Sequence, residues 1–243
     1  LLQLCQGHEP RTAPGLYGRR AGAREGAAAQ AIEIIQAQFS KLAAKEKMTT
    51  EAANAAAKRL IPASSVADLA RVGLVIEAIV ENLDVKRKLF NSLEEVCDAS
   101  CIFATNTSSI SVTSIAAGLK NPARLVGMHF FNPAPLMALV EIISGLATSK
   151  DLAAILHATA KDWGKTPVYA KSTPGFIVNR VARPFYAESL RLLSEGASDS
   201  ATLDAIMRET GGFKMGPFEL MDMIGHDVNF AVTQSVWRAF YND

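Results

Sequence analysis

Three short, almost wholly apolar segments alternate with two segments of helical periodicity in the middle of this chain. The apolar segments are Val72–Val80, Cys101–Thr105 and Leu125–Phe131, and the helical ones are Asp84–Val96 and Ile110–Gly118. Continuous apolarity over so few residues is typical of strands that are buried on both faces, as parallel strands are when helices cover a sheet. The alternation therefore predicts an α/β fold built on a parallel sheet with right-handed crossovers.

Two helices are predicted before the first of these strands. Apolar residues at helical spacing begin at Ala27, and a second helix is predicted over Glu51–Leu60, with Thr50 as its N-cap and Pro62 beyond its end. Residues 1–26 show neither a helical period nor a strand of useful length.

The pattern becomes wholly helical after residue 172. A strand over Leu139–Ile143, a helix over Asp151–Lys161 and a strand over Pro167–Tyr169 still continue the α/β alternation. The helical segments that follow are Phe176–Ser194, Ser200–Glu209, Pro217–Ile224 and Asp227–Tyr241. We therefore predict two domains, an α/β domain over residues 1–172 and an all-helical domain over residues 173–243.

The composition excludes several classes of protein. A hydrophobic fraction of 49% and a charged fraction of 20% are ordinary for a globular chain and rule out a disordered or fibrous one. Lys+Arg 25 against Asp+Glu 24 leaves a formal net charge of +1, so we expect neither nucleic acid nor a membrane surface as a partner. The apolar runs are also too short to cross a bilayer, which predicts a soluble protein.

The cysteines bear on redox compartment and on metal binding. The chain contains three, Cys5, Cys97 and Cys101. An odd count without repeated spacing argues against a disulfide scaffold and against a zinc site. We interpret them as reduced thiols and expect a cytoplasmic protein without a bound metal.

A histidine lies in the strand that ends at Phe131, and a glutamate lies in the strand that follows. A lone histidine in an apolar run is usually structural, but Glu141 lies within Leu-Val-Glu-Ile-Ile, where an unpaired carboxylate would cost several kcal/mol. Pro133 and Pro135 allow the second strand to run back beside the first, which brings Glu141 against His129. Such a pair suits a general base, because the carboxylate orients the ring and stabilises the imidazolium that forms.

Two further polar sites have competing interpretations. Asn106–Ser109 follows the end of a buried strand, where open parallel sheets bind ligands, but Asn106 or Thr107 could instead cap the next helix. Asn179, one turn inside the first helix of the second domain, either ties two helices together or points into a pocket at the domain interface. The sequence contains no Gly-x-Ser-x-Gly elbow, zinc-protease helix motif or Gly-x-x-x-x-Gly-Lys phosphate loop.

Taken together, several segments resemble the NAD-dependent L-3-hydroxyacyl-CoA dehydrogenase family, of the type of the bacterial 3-hydroxybutyryl-CoA and 3-hydroxyadipyl-CoA enzymes. The segments are Glu77–Leu83, Asn106–Ser109, His129–Pro133, Thr173–Arg180 and Gly216–Leu220. The resemblance covers about residues 27–243. It implies a Rossmann domain followed by a helical domain through which two subunits form a homodimer. It also implies interconversion of L-3-hydroxyacyl-CoA and 3-oxoacyl-CoA with NAD, in fatty-acid β-oxidation or phenylacetate degradation.

The resemblance also implies roles for individual residues. His129 would take the proton of the substrate 3-hydroxyl while hydride passes to the nicotinamide, and Glu141 would orient and charge-balance His129. Ser108 and Asn179 would hydrogen-bond the reacting oxygen or its surroundings. The residues that match the family's cofactor contacts are Glu81, Lys86, Ser108 and Asn132.

The sequence departs from the family pattern at its front. The family begins with a strand and a Gly-x-Gly-x-x-Gly turn, then a second strand that ends in an acidic residue, but this chain contains no such turn. If Leu16-Tyr17 ends the second strand, Gly18 stands in place of the acid. We expect a Rossmann domain that is incomplete at its N-terminus, through truncation or a disturbed reading frame near residues 1–26. We also expect a chain that stops, at Asp243, short of the family's usual end.

That departure leaves an alternative to an active dehydrogenase. A catalytically impaired fragment, or a non-catalytic binding protein that retains the fold, would show the same motifs. Because the pyrophosphate of a dinucleotide is held by a glycine turn at a helix N-terminus, we expect this polypeptide to bind NAD weakly.

Overall fold

The computed structural model describes the backbone of residues 18–20 and all of residues 26–240. The chain divides into two compact units, and the boundary along the chain falls between Ser172 and Thr173. The predictions for residues 1–17, 21–25 and 241–243 lie outside the described residues. Within the described residues, no helix is long and apolar enough to cross a membrane, and no cluster of His, Cys, Asp and Glu side chains could hold a metal ion.

The first unit is a mostly parallel sheet with flanking helices. Its strands are β1 (Gly18–Arg20), β2 (Leu60–Pro62), β3 (Leu74–Glu77), β4 (Ile102–Thr105), β5 (Leu125–Phe130), β6 (Leu139–Ser144) and β7 (Thr166–Lys171). Its helices are α1 (Ala27–Ala44), α2 (Thr50–Lys58), α3 (Leu83–Val96), α4 (Val112–Ala116) and α5 (Lys150–Asp162). Two short 3₁₀ turns, Val66–Leu69 and Pro122–Arg124, complete the connections.

The main sheet has the strand order β3-β4-β5-β6-β7. β3, β4 and β5 are parallel, β6 is antiparallel to β5, and β7 is parallel to β6. β3, β4, β5 and β6 are largely buried, whereas the edge strand β7 is partly exposed, and one face of the sheet packs Ile76, Val126 and Ile142 against Leu156 of α5. The predicted α/β fold is confirmed, and the strand after Pro135 does run back beside the strand that carries His129.

A glycine allows β5 and β6 to approach closely at the hairpin. Gly127 is paired with Ile143, and a Cβ built at Gly127 would lie 2.8 Å from the Ile143 Cβ and 2.9 Å from a Val112 methyl. No side chain fits in that space, so the residue type at 127 is set by the packing of the two strands that carry the histidine and the glutamate.

The prediction of structure before residue 72 was wrong in three details. The predicted helix over Glu51–Leu60 ends at Lys58, and the next residues form β2, which pairs in parallel with β1. Pro62 cannot donate a helical hydrogen bond, and the apolar Leu60 and Ile61 extend beside a strand that the sequence did not predict. The N-cap is Thr49 rather than Thr50, since the Thr49 hydroxyl accepts from the Ala52 N–H at 3.2 Å.

The predicted strand Val72–Val80 is also shorter in the structure. Only Leu74–Glu77 pairs with β4, and residues 78–82 form a loop that leads into α3. Asn82 caps that helix, because its side chain accepts from the Val85 N–H at 3.1 Å.

The second unit is wholly helical, as predicted. Its helices are α6 (Val178–Val181), α7 (Arg183–Ser194), α8 (Ser200–Glu209), α9 (Pro217–Ile224) and α10 (His226–Phe240). The continuous helix predicted over Phe176–Ser194 was wrong, since a break at Ala182 separates α6 from α7. Pro184 lies in the first turn of α7, where its missing N–H costs least.

The Gly216–Leu220 motif forms the junction between α8 and α9. The buried Asp204 of α8 accepts hydrogen bonds from the N–H groups of Phe218 and Glu219, at 2.8 and 3.1 Å, and so caps α9. A Cβ on Gly216 would lie 2.3 Å from the Asp204 carboxylate, so a larger residue there would displace the cap. The glycine of the motif is therefore explained by the space that the Asp204 cap of α9 needs.

Candidate active site

The centre of the first unit holds a histidine–glutamate pair on neighbouring strands. His129 of β5 and Glu141 of β6 are directly opposite in the antiparallel register, and His129 Nδ1 lies 2.7 Å from Glu141 Oε2. His129 is 4% exposed and Glu141 is fully buried. The Phe131 ring packs against the imidazole with a centroid separation of 4.6 Å. The pairing that the sequence predicted is thus present.

The connection between the two strands explains how the register arises. Pro133 follows a cis peptide bond from Asn132, and its carbonyl accepts hydrogen bonds from the N–H groups of Leu136 and Met137 at 2.9 and 3.0 Å. Lys165, just before β7, donates from its Nζ to the Met137 carbonyl at 3.0 Å. The turn is therefore closed on itself and held to the sheet.

The chemistry available to this pair follows from its geometry. A carboxylate bonded to Nδ1 fixes the tautomer and the orientation of the ring and stabilises its protonated form. Because Glu141 occupies Nδ1, proton exchange with a substrate would take place at Nε2 of His129. The geometry of the pair therefore suits a general base or acid.

A second fully buried carboxylate ends β3. Glu77 Oε1 accepts from Lys86 Nζ at 2.7 Å and from the Ile79 N–H at 2.6 Å, and its Oε2 accepts from the Thr105 hydroxyl at 2.6 Å. Glu77 and Lys86 are both fully buried, and the Lys86 Nζ also lies 3.3 Å from Glu81 Oε2. Every oxygen of this buried carboxylate thus has at least one donor, as a buried charge requires.

Glu81, in the loop after β3, holds the loop after β4. Its Oε1 accepts from the Thr107 hydroxyl at 2.6 Å and from the N–H groups of Ser108 and Ser109 at 2.8 and 3.0 Å. Burial raises the pKa of the Glu81 carboxyl, but the Thr107 hydrogen bond, the Lys86 charge and the two backbone donors outweigh burial and hold that pKa below its usual value. Glu81 therefore stays ionised and fixes Ser108 in place.

The same loop is attached to the strand that carries the histidine. Asn106 Oδ1 accepts from the Phe130 N–H at 2.8 Å. The alternative that Asn106 or Thr107 only caps the next helix was wrong, because α4 is capped by Ser111, whose hydroxyl accepts from the Ser114 N–H at 3.2 Å. The ends of β3, β4 and β5 are in this way joined by side-chain hydrogen bonds, at the edge where parallel sheets bind ligands.

The remaining candidate residues, Ser108, Asn132 and Asn179, lie in different parts of the chain. Ser108 is half-buried on the loop that Glu81 holds, and Asn132 is exposed at the turn after β5. Asn179 belongs to the second unit, where it is half-buried on α6 and its carbonyl accepts from Arg183 Nε at 2.8 Å. Their catalytic or cofactor roles stay predictions.

Lys86 differs from the other candidates because its side chain has no exposed surface. Its Nζ is bonded to the Glu77 carboxylate and lies 3.5 Å from the Ile79 carbonyl. The structure shows Lys86 in a buried ion pair with Glu77 and near Glu81, and the cofactor contact that the resemblance implies for Lys86 stays a prediction.

Sequence reasoning did not select Glu77 or Thr105 as site residues. A signal for Glu77 was available, since it lies in an apolar strand just as Glu141 does. Thr105 gives no signal by itself, because a threonine in a strand is ordinary. Its contribution appears only when the parallel register places it opposite Glu77.

The donor set at this edge suits part of a dinucleotide. The Glu81 carboxylate, the Ser108 and Ser109 side chains and the exposed Asn132 amide offer both acceptors and donors for ribose hydroxyls and a carboxamide. The prediction that residues 1–26 lack a pyrophosphate turn lies largely outside the described residues.

Comparisons with known proteins agree on one family. The family model "3-hydroxyacyl-CoA dehydrogenase, NAD binding domain" matches residues 17–173, and "3-hydroxyacyl-CoA dehydrogenase, C-terminal domain" matches residues 175–243. The chain is 51% identical over 214 residues to 3-hydroxyadipyl-CoA dehydrogenase of Escherichia coli K12, covering 88% of this chain and 45% of that protein. It is 35% identical to 3-hydroxybutyryl-CoA dehydrogenase of Clostridioides difficile, covering 89% of this chain and 77% of that protein.

Solved structures show the same similarity. The crystal structure of (S)-3-hydroxybutyryl-CoA dehydrogenase from Ralstonia eutropha superposes with a TM-score of 0.91 at 36% identity, covering 94% of this chain and 81% of that one. The crystal structure of 3-hydroxybutyryl-CoA dehydrogenase from Escherichia coli K12 gives a TM-score of 0.90 at 49% identity, covering 93% and 48%. The chain thus spans about half the length of the Escherichia coli proteins.

Proposed function

The chain belongs to the 3-hydroxyacyl-CoA dehydrogenase family, and we propose that it performs the family's oxidoreductase reaction, interconverting an L-3-hydroxyacyl-CoA and a 3-oxoacyl-CoA with NAD. The observation that carries this proposal is the buried His129–Glu141 pair, with 2.7 Å between Nδ1 and Oε2. Oxidation of a secondary alcohol requires a group that removes the hydroxyl proton, and this pair supplies one. When bound, NAD would accept the hydride.

His129 is the proposed general base. Its Nε2 would remove the proton of the 3-hydroxyl in the forward direction and return it to the 3-oxo oxygen in the reverse direction. Glu141 would hold the ring in the tautomer that leaves Nε2 as acceptor, and its negative charge would offset the imidazolium during transfer. Ser108 and Asn179 are the proposed hydrogen-bond partners of the reacting oxygen or its surroundings.

Glu81, Ser108 and Asn132 are the residues that we propose hold NAD directly. They are supported by their place at the carboxyl ends of β3, β4 and β5. Lys86 would contribute by holding Glu81, since its Nζ lies 3.3 Å from Glu81 Oε2.

The names of the relatives support a short acyl-CoA substrate. They are described as 3-hydroxyadipyl-CoA and 3-hydroxybutyryl-CoA dehydrogenases. We propose that the reaction belongs to fatty-acid β-oxidation or to phenylacetate degradation. We also propose a cytoplasmic location, which the reduced, buried Cys97 and Cys101 support.

We further propose a homodimer formed through the helical unit. Within the described part of this unit, Phe176 and Met221 are buried, whereas Phe230 and Trp237 of α10 are 65% and 52% exposed. Large exposed apolar side chains on one helix are typical of an interface. Light scattering at micromolar concentration should give the mass of two chains, and the mass of one chain would contradict the proposal.

The experiment that tests the activity is oxidation of NADH by acetoacetyl-CoA, followed by the near-ultraviolet absorbance of NADH. We expect turnover in the parent protein and in the control Glu95→Gln, which breaks only an exposed ion pair with Lys120. Absence of turnover together with retained ligand binding would favour a non-catalytic binding protein with this fold.

A further inference from the structure

Three charged side chains, Glu77, Lys86 and Glu81, form a cluster behind the loops that end β3 and β4. Two carboxylates share one ammonium, with Nζ–O distances of 2.7 Å to Glu77 and 3.3 Å to Glu81. The formal charge of this cluster is therefore negative by one unit. Glu77 and Lys86 are fully buried, so solvent and salt screen their charges less than they would at the surface.

The cluster lies close to the place where hydride would be exchanged. Its Glu81 holds the loop of Ser108, and Asn106 from the same loop accepts from the N–H of Phe130, the neighbour of His129. β3 and β5 are separated only by β4, so Glu77 lies about 10 Å from the strand of the histidine. A hydride acceptor must lie beside the carbon whose hydroxyl faces His129, and thus within the field of the cluster.

On the basis of the proposed function, we propose that Glu77 sets the charge of this cluster and thereby lowers the dissociation constant of the oxidised, cationic nicotinamide relative to that of the reduced, neutral one. Glu77 acts through Lys86 and is a positioning residue. Without its carboxylate, the charge of Lys86 cancels that of Glu81, and the attraction for the cation is lost. The neutral form gains nothing from the cluster's charge, so the effect appears as a difference between the two redox forms.

The test is the pair of dissociation constants for NAD⁺ and NADH, measured separately by calorimetry on the purified protein and on Glu77→Gln. The variant removes one charge and keeps the size of the side chain. We expect the ratio of the NAD⁺ constant to the NADH constant to rise about three- to tenfold. The matched control is Glu95→Gln, on the helix that carries Lys86 and about 13 Å further along α3 than Lys86, and it should leave the ratio unchanged.

A second variant keeps the test decisive if Glu77→Gln fails to fold. Glu81→Gln makes the same change of charge on a partly exposed side chain and should raise the same ratio by a similar factor. An equal loss of affinity for both redox forms, or an unchanged ratio, would overturn the inference and leave the proposed function standing. Binding of neither form by the parent would overturn the proposed function and this inference with it.

Discussion

Two buried glutamates on the same sheet have partners of different chemistry. Glu141 on β6 is paired with the imidazole of His129, and Glu77 at the end of β3 is paired with the ammonium of Lys86, each at 2.7 Å. Both carboxylates are fully buried. Of the side-chain types, imidazole ordinarily exchanges its proton nearest to neutral pH, whereas an ammonium ordinarily does so far above it.

The difference shows that burial of a carboxylate does not by itself identify a catalytic group. Both glutamates satisfy the rule that a buried charge needs a partner, and the partner decides what the charge does. In the proposed reaction, the carboxylate next to the imidazole supports proton transfer. The carboxylate next to an ammonium fixes a charge and, through Glu81, the loop that carries Ser108.

The largest effect is expected from the histidine itself. We expect His129→Gln to slow turnover by about a thousandfold, because the proton acceptor is removed while a side chain of similar length remains. Circular dichroism should show an unchanged fold, and steady-state assays of NADH oxidation should measure the loss. A loss smaller than about tenfold would remove His129 from the proposed chemistry.

Glu141→Gln should come next, with turnover slowed by about a hundredfold. The amide keeps the size of the side chain but no longer offsets the charge that forms on the imidazole. The same assay with Glu95→Gln serves as the control for loss of a carboxylate elsewhere. Turnover within about twofold of the parent would contradict the assignment of the pair.

Glu77→Ala should affect stability more than chemistry. Removing one partner of a buried ion pair leaves Lys86 without its nearest counter-charge, and we expect the free energy of unfolding to fall by about 3 kcal/mol. Denaturant titration measures this change. Glu95→Ala, which breaks an exposed pair, should lower the free energy of unfolding much less, and equal losses in the two variants would contradict the comparison.

The smallest expected effect concerns pH. Folding lowers the pKa of Glu81 below its ordinary value of 4.5, so the stability that its ionised form contributes is present above that pH and is lost as the pH falls through the lower, folded-state value. Because the side chain is partly exposed, the contribution should be below about 1 kcal/mol. Denaturant titrations at several pH values should therefore show that the difference in unfolding free energy between the parent and Glu81→Gln shrinks below pH 4.5. A difference that stays constant with pH would contradict the assigned role of the ionised Glu81 carboxylate.

The sequence was sufficient to predict the contact between His129 and Glu141 and the α/β order of the main sheet. Glu141 could be assigned to His129 because only twelve residues separate them in the chain, with prolines between them that reverse its direction. The strands of the main sheet could be predicted because continuous apolarity marks burial on both faces.

Other features depend on contacts that the local sequence does not contain. Glu77 and Thr105 are 28 residues apart in the chain and meet only through the parallel register of β3 and β4. β1 and β2 are three residues each, too short for a period to be recognised, and each is a strand only because the other is beside it. The break at Ala182 was missed because the apolar spacing continues across it, although Pro184 was visible.

The most direct test of the central claim, that Glu141 acts through His129, is a double-variant cycle on turnover. We compare His129→Gln, Glu141→Gln and the variant that carries both changes. If the carboxylate acts only through the imidazole, the double variant should turn over within about threefold of His129→Gln, because no ring is left to orient or charge-balance. A further loss of about a hundredfold in the double variant would show that Glu141 acts independently of His129 and would contradict the account.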